Sequence, residues 1–238
     1  MKIKELIRAF KPDPDFITLG EKIKSGLAAA VGVFLLGEAL KFLPQLHYPT
    51  VMLASMAASA VLLYAVPHSP MAQPWPLIGG HFVSALCGWF VAAVMSDQIA
   101  AASVAVGIAI FVMSLLRCLH PPGAATALIM VLNYGSFSEF GGQWAGYVLL
   151  LNALISLLAA LLLNNLLPGR RYPMKQSAAG INAAPPASHT ISRHDIEHAL
   201  AHMDGIIDVS EDDLLTIYEV ASKHARDSNR RTAQAGAG

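Results

Sequence analysis

Hydrophobic residues gather in six stretches along this chain, at 25–42, 51–66, 79–95, 99–116, 119–133 and 144–167. A helix that crosses the hydrocarbon of a bilayer needs about 20 apolar residues, within a range of roughly 17–25. Four of the six stretches reach or approach that length. Segments 51–66 and 119–133 are short, and both are entered through proline: Pro49 for the first, Pro121 and Pro122 for the second. The pattern predicts an all-α protein, a polytopic transmembrane helix bundle with six hydrophobic segments.

The two short segments share their surroundings. His47-Tyr48-Pro49 precedes Ala58-Ser59-Ala60-Val61-Leu62-Leu63, then a loop, then Gly79-Gly80-His81 and a long apolar run. His120-Pro121-Pro122 precedes Ala125-Thr126-Ala127-Leu128-Ile129-Met130, then a loop, then Gly141-Gly142-Gln143-Trp144 and another long run. Residues 25–95 and 99–167 therefore read as a 3+3 inverted repeat with two short central helices. Short, proline-interrupted segments in matching positions point to a transporter's binding site.

Composition agrees with the membrane reading. Hydrophobic residues make up 55% of the chain and charged residues 13%, against about 25% charged in a soluble domain. Only Glu38, Lys41, Asp97, Arg117 and Glu139 are charged between Ser25 and Gly169. Lys2, Lys4, Arg8, Lys11, Lys22 and Lys24 make residues 1–24 a basic, cytoplasmic or interfacial segment that Pro12 and Pro14 interrupt. It lacks the apolar core and small-residue cleavage site of a signal peptide. Arg170, Arg171 and Lys175 make the exit from the last stretch basic as well. Both ends are then expected in the cytoplasm, which requires an even number of crossings; the expected setting is a bacterial inner membrane. Six crossings fit, and so do four if the short segments enter and leave on one side.

After the transmembrane domain at 25–169, residues 170–190 read as a linker. Residues 191–238 read as an amphipathic two-helix cytoplasmic tail with a disordered end. His194, His198 and His202 lie along one face of the first tail helix; a solvated face is the plainer reading than zinc. Cys87 and Cys118 sit in or beside apolar runs and read as reduced packing residues. The formal net charge of zero argues against a nucleic-acid partner. No cofactor is implied. Dense small residues at 25–33, 54–60 and 100–109 permit close helix packing and association into a homo-oligomer.

Candidate chemistry centres on Arg117 and the run His120-Pro121-Pro122-Gly123-Ala124-Ala125-Thr126. Proline suits the first turn of a helix, where its missing N–H costs nothing. A helix starting there would present the N–H groups of Gly123, Ala124 and Ala125 to an anion at the positive end of its dipole. Thr126 and Ser59 could add hydroxyl donors, Arg117 a charge, and His120 a titratable proton that keeps the loaded site near neutral. Gln73, with His68 and Ser69 in the proline-rich loop 67–78, could line the pathway, and His81 is open between packing and site. The plainer alternative is that the prolines turn the chain, His120 caps the helix, and Arg117 snorkels to lipid headgroups. Glu38 and Lys41 lie three apart and are expected to pair.

The stretch Leu116-Arg117-Cys118-Leu119-His120-Pro121-Pro122-Gly123-Ala124-Ala125-Thr126-Ala127-Leu128 resembles the HPP family of integral membrane proteins. The resemblance takes in 54–63, Ser69-Pro70-Met71-Ala72-Gln73-Pro74, Gly79-Gly80-His81, Asn164-Asn165-Leu166 and Arg170-Arg171-Tyr172-Pro173, covering roughly 20–175. Members are described with four spans, and some carry nucleotide-sensing CBS domains after the membrane part. Plastid and cyanobacterial relatives are associated with nitrite, so the resemblance implies a transporter of a small inorganic anion. The residues leave open a non-transporting sensor or assembly subunit whose tail recruits a partner. An intramembrane enzyme is disfavoured, because the chain has no HExxH, GxSxG or nucleotide-binding glycine loop.

Overall fold

Each hydrophobic stretch forms a helix, and most helices start at a cap or proline supplied by the sequence. In the computed structural model, residues 10, 17–42, 49–139, 142–174 and 218 are described, and almost all lie within the unit Thr18–Gln176. Helix α1 spans Leu19–Lys41 behind Thr18, whose hydroxyl accepts from the Glu21 N–H at 3.2 Å. Helix α2 spans Pro49–Ala65, and a 3₁₀ turn at Pro70–Ala72 leads to α3 at Pro74–Val94. The Asp97 carboxylate caps α4, Gln98–Leu115, by accepting from the Ala100 N–H at 2.7 Å. Helices α5 (Pro121–Leu132), α6 (Tyr134–Glu139) and α7 (Gly142–Leu166) complete the bundle. No strand occurs among the described residues.

Two helices begin earlier than hydropathy alone predicts. The Thr18 cap brings Glu21, Lys22 and Lys24 into the first turns of α1 rather than a separate segment. Helix α3 begins inside the stretch expected as a loop, because Pro74 occupies a first-turn position. Among the described residues four helices are long and apolar enough to cross a membrane: Leu19–Lys41, Pro74–Val94, Gln98–Leu115 and Gly146–Leu166. Helix α5, at 12 residues, is about 18 Å long, well short of a hydrocarbon core of about 30 Å.

The helices sort their faces as a bilayer requires. On α4, Ala101, Ala105, Ala109 and Met113 are buried at every fourth position, while Ile108, Phe111 and Leu115 are exposed. Exposed Leu154, Leu158, Leu162 and Leu166 make the matching outer stripe of α7. The α4 alanines are thus used inside the chain, against α3 and α5, where their small size allows close approach.

Helix α3 is the hub, packing on α4, α5 and α7. Around it α1 packs on α2 and α7, α2 packs on α5 and α7, and α4 packs on α5. Exchanging α1 with α4, α2 with α5 and α3 with α7 carries this set of pairings onto itself.

Helix ends gather accordingly. Trp75 at the start of α3 donates its Nε1–H to the Leu116 carbonyl beyond α4, at 3.1 Å. At the opposite end the Gln98 amide at the start of α4 donates to the Leu132 carbonyl at the end of α5, at 3.3 Å. Glu38 and Lys41 form the expected exposed pair on α1.

The expected tail helices and His194, His198 and His202 lie outside the described residues. Arg170 and Tyr172, which the linker reading takes in, are instead buried in the bundle, at 7% and 2% exposure.

Candidate functional site

Four polar side chains with no exposed surface meet between α2, α3 and α5: Ser59, His81, His120 and Thr126 are each 0% exposed. His120 is the residue preceding α5, and its side chain makes no cap hydrogen bond. It reaches away from the helix instead. Its Nδ1 lies 2.8 Å from the Met71 carbonyl in the 3₁₀ turn, and its Nε2 lies 2.9 Å from Ser59 Oγ on α2. The same Ser59 oxygen is 2.9 Å from His81 Nε2 on α3, and His81 Nδ1 is 2.7 Å from Thr126 Oγ1 on α5. The two imidazoles meet edge to face with centroids 5.0 Å apart.

Hydrogen-bond chemistry assigns the protons. A carbonyl only accepts, so His120 Nδ1–H donates to Met71. With His120 neutral, its Nε2 accepts from the Ser59 hydroxyl. Ser59 then accepts from His81 Nε2–H, and His81 Nδ1 accepts from Thr126. Both imidazoles are neutral in this arrangement, each held in one tautomer, and all four groups are partnered.

Close backbone approach makes the cluster possible. A Cβ on Gly80 would meet His120 Cβ at 2.5 Å, and one on Gly88 would meet the Ala127 carbonyl at 2.5 Å. Glycine at these α3 positions lets α5 lie against the helix backbone.

The remaining candidates fall in different surroundings. Pro121 is exposed, Pro122 and Gly123 are buried, and Ala124 is half-buried. The Gly123 N–H, expected to be free for an anion, donates to the His120 carbonyl at 2.8 Å. A Cβ there would meet Ser84 Oγ at 2.8 Å, so this first-turn position is filled by packing. Arg117 is exposed after α4, with a left-handed φ of 53°, and it does not join the cluster. Gln73 is a brace. Its amide donates to the Pro67 and Ser69 carbonyls at 3.0 and 2.9 Å, and its oxygen accepts from the Met174 N–H at 2.8 Å. His68 is half-buried, and Ser69 caps the 3₁₀ turn. Among the described residues no group of three or more His, Cys, Asp or Glu is placed to hold a metal.

The model of the HPP transmembrane region matches residues 14–173. This chain belongs to the HPP family. Two transmembrane proteins of Dictyostelium discoideum are similar, one 40% identical over 133 residues and the other 37% identical over 132. Each match covers 52% of this chain, and 45% and 40% of the respective relatives. The chain therefore spans less than half the length of either. No solved structure matches it.

A second polar centre of this HPP bundle escaped the hydropathy reading. The Arg170 guanidinium bonds Glu21 and donates to the Tyr64 carbonyl at 2.9 Å, Ser25 Oγ at 2.7 Å and Asn164 Oδ1 at 3.4 Å. It ties the start of α1 and the end of α2 to the end of α7. Asn164 also donates to the Leu63 carbonyl at 3.0 Å. Asn165 holds Tyr172 by its backbone, and the Tyr172 hydroxyl donates to the Ala72 carbonyl at 2.7 Å. Burial, aided by nearby Tyr64, pushes the Tyr172 phenol above its usual range, so it stays a donor. The available signal was the Asn164-Asn165 pair inside an otherwise apolar run, since amides in such a helix need partners.

Proposed function

We propose that this HPP protein is a transporter or channel for a small inorganic anion and that the pathway passes the Ser59–His81–His120–Thr126 cluster. The observation that carries this reading is the pair of buried imidazoles meeting on one serine hydroxyl. The helices that pack around them contain no Asp, Glu, Lys or Arg. Ionisable groups at membrane depth are expensive, and their usual reason is function. Hydroxyl and imidazole N–H groups suit an anion, and an imidazole that gains a proton becomes its counter-charge. Arg117 lies at the mouth of the same end, where an exposed cation draws anions in.

The cargo is nitrite-like, as the family resemblance implies. The bundle acts as two inverted halves with six passes, and the exchange symmetry of its helix pairings supports that reading. Lys22, Lys24, Arg117, Arg170 and Arg171 all lie at one end, which the positive-inside rule places in the cytoplasm together with both termini. The membrane is a bacterial inner membrane, and the cluster transports rather than catalyses.

Uptake by the full chain in proteoliposomes tests the proposal, with protein-free vesicles as background. Nitrite should accumulate under an imposed gradient. His81→Ala and His120→Ala should lose most of that uptake while eluting as folded, monodisperse protein. Absence of uptake for nitrite, nitrate, formate and chloride alike would refute the reading.

A further inference from the structure

Each hydroxyl of the cluster has a second acceptor within reach. Ser59 Oγ is 2.9 Å from His120 Nε2 and 3.2 Å from the Ser55 carbonyl one turn earlier. Thr126 Oγ1 is 2.7 Å from His81 Nδ1 and 3.5 Å from the Pro122 carbonyl one turn earlier. A hydroxyl hydrogen rotates to suit its partner. When the ring nitrogen is bare, the hydroxyl donates to it. When the nitrogen gains a proton, its N–H donates to the hydroxyl oxygen, and the hydroxyl turns to the helix carbonyl. With His120 protonated, Ser59 accepts from both Nε2–H groups and donates to Ser55. That uses the two lone pairs and one hydrogen it has. Neither state leaves a polar group of the cluster without a partner, and no heavy atom needs to move.

The surroundings limit the charge such a site holds. Helices α2, α3, α4, α5 and α7 carry no Asp, Glu, Lys or Arg. Their titratable groups are Tyr64, Cys87, Tyr147 and the two histidines, with Cys118 and half-buried His68 in the connections. Arg117 is exposed, Asp97 caps the far end of α4, Glu139 is exposed on α6, Arg170 is held by Glu21, and Tyr172 donates to Ala72. Two imidazolium rings 5.0 Å apart with no carboxylate among those helices would repel each other.

We infer that the cluster loads one proton, on either His81 or His120, together with one monovalent anion, so that cargo crosses without net charge. This rests on the transport reading above and adds its stoichiometry and substrate class. A hydronium ion in the water at one mouth gives its proton to a ring nitrogen lone pair, and the anion enters as the counter-charge of the imidazolium. At the other mouth the proton returns to water, the anion leaves, and the ring is neutral again. A divalent anion would need both rings charged and is excluded.

The test uses the full chain in proteoliposomes with nitrite as probe, subtracting protein-free vesicles for passive nitrous acid flux. One inward pH step of a unit, with the potential clamped by potassium and valinomycin, should drive about tenfold accumulation. A potential imposed at equal pH should drive none, and sulfate should not accumulate under either. Ser59→Ala and Thr126→Val should abolish the pH-driven component. Accumulation that follows potential overturns this inference and leaves the transport reading standing. Absence of uptake under every gradient overturns both.

Discussion

Gly80→Ala tests whether the spacing of α3 and α5 sets the site. The added Cβ would lie 2.5 Å from His120 Cβ and 3.0 Å from the Cys118 carbonyl oxygen. Carbon atoms in contact sit about 3.5–4.0 Å apart, so the helices must part locally by about 1 Å. The His81 Nδ1 to Thr126 bond, which joins the same two helices and is now 2.7 Å, would then stretch to about 3.7 Å and cease to be one. Overpacking of this kind costs about 1–3 kcal/mol, and the lost hydrogen bond about 1 kcal/mol more. Gly107→Ala on α4 is the matched control, since nothing lies within 4 Å of a Cβ there. Thermal unfolding in detergent should fall by several degrees for Gly80→Ala and stay level for Gly107→Ala. Uptake should fall at least tenfold in the first variant alone. Equal melting and equal uptake in the two variants would refute the contact and the role drawn from it.

The other predictions concern the Arg170 strap and its neighbours. Arg170→Ala strands several buried acceptors and should cost about 3 kcal/mol, the lower end for breaking a buried pair because Glu21 is partly exposed. Glu21→Gln keeps an acceptor and should cost about 1 kcal/mol; chemical or thermal melting of both variants checks the order. Tyr172→Phe removes the bond to Ala72, beside the Met71 carbonyl that fixes the His120 tautomer, so the pH profile of uptake should shift. An unchanged profile with a lower melting temperature would leave the tyrosine a structural role only. Burial pushes the Cys118 thiol up, so at pH 7 it should resist a water-soluble maleimide until the protein is denatured; rapid labelling in the native state would contradict its placement.

The hydrophobic pattern was enough to locate all six segments, because lipid imposes long apolar runs on whatever crosses it. Helix starts were less legible. Hydropathy discounts Lys22 and Lys24, whereas Thr18 supplies a cap that starts α1 ahead of them. Ser59, His81, His120 and Thr126 were each visible as polar residues in or beside apolar runs, and the matched short segments paired Ser59 with Thr126. What the pattern could not supply was convergence. Two neighbouring helices and the start of a third, some sixty residues on, bring Ser59 to both rings, and the glycine-lined approach of α3 to α5 makes that possible. Arg117 and Gln73 stand near the motif in sequence, yet one ends exposed and the other braces a loop. Arg170 shows in the sequence as a basic residue at the exit of the last stretch and as part of the family resemblance, not as a buried one. Its burial depends on Glu21, Ser25 and Tyr64, which lie more than a hundred residues upstream.

The two polar centres are joined through one short turn. Tyr172, anchored by Asn165 at the end of α7, holds the Ala72 carbonyl, and the adjacent Met71 carbonyl holds His120. A backbone carbonyl at that point does what a carboxylate does elsewhere, orienting an imidazole, but it brings no negative charge into the bundle. That difference matters in a low dielectric. A carboxylate would favour the charged ring, whereas, on the proposal above, the carbonyl leaves the ring neutral until an anion arrives to share the charge. Replacing Met71 therefore matters little through its side chain. Substitutions that shift the turn, at Ser69 or Tyr172, should reach His120 through the backbone.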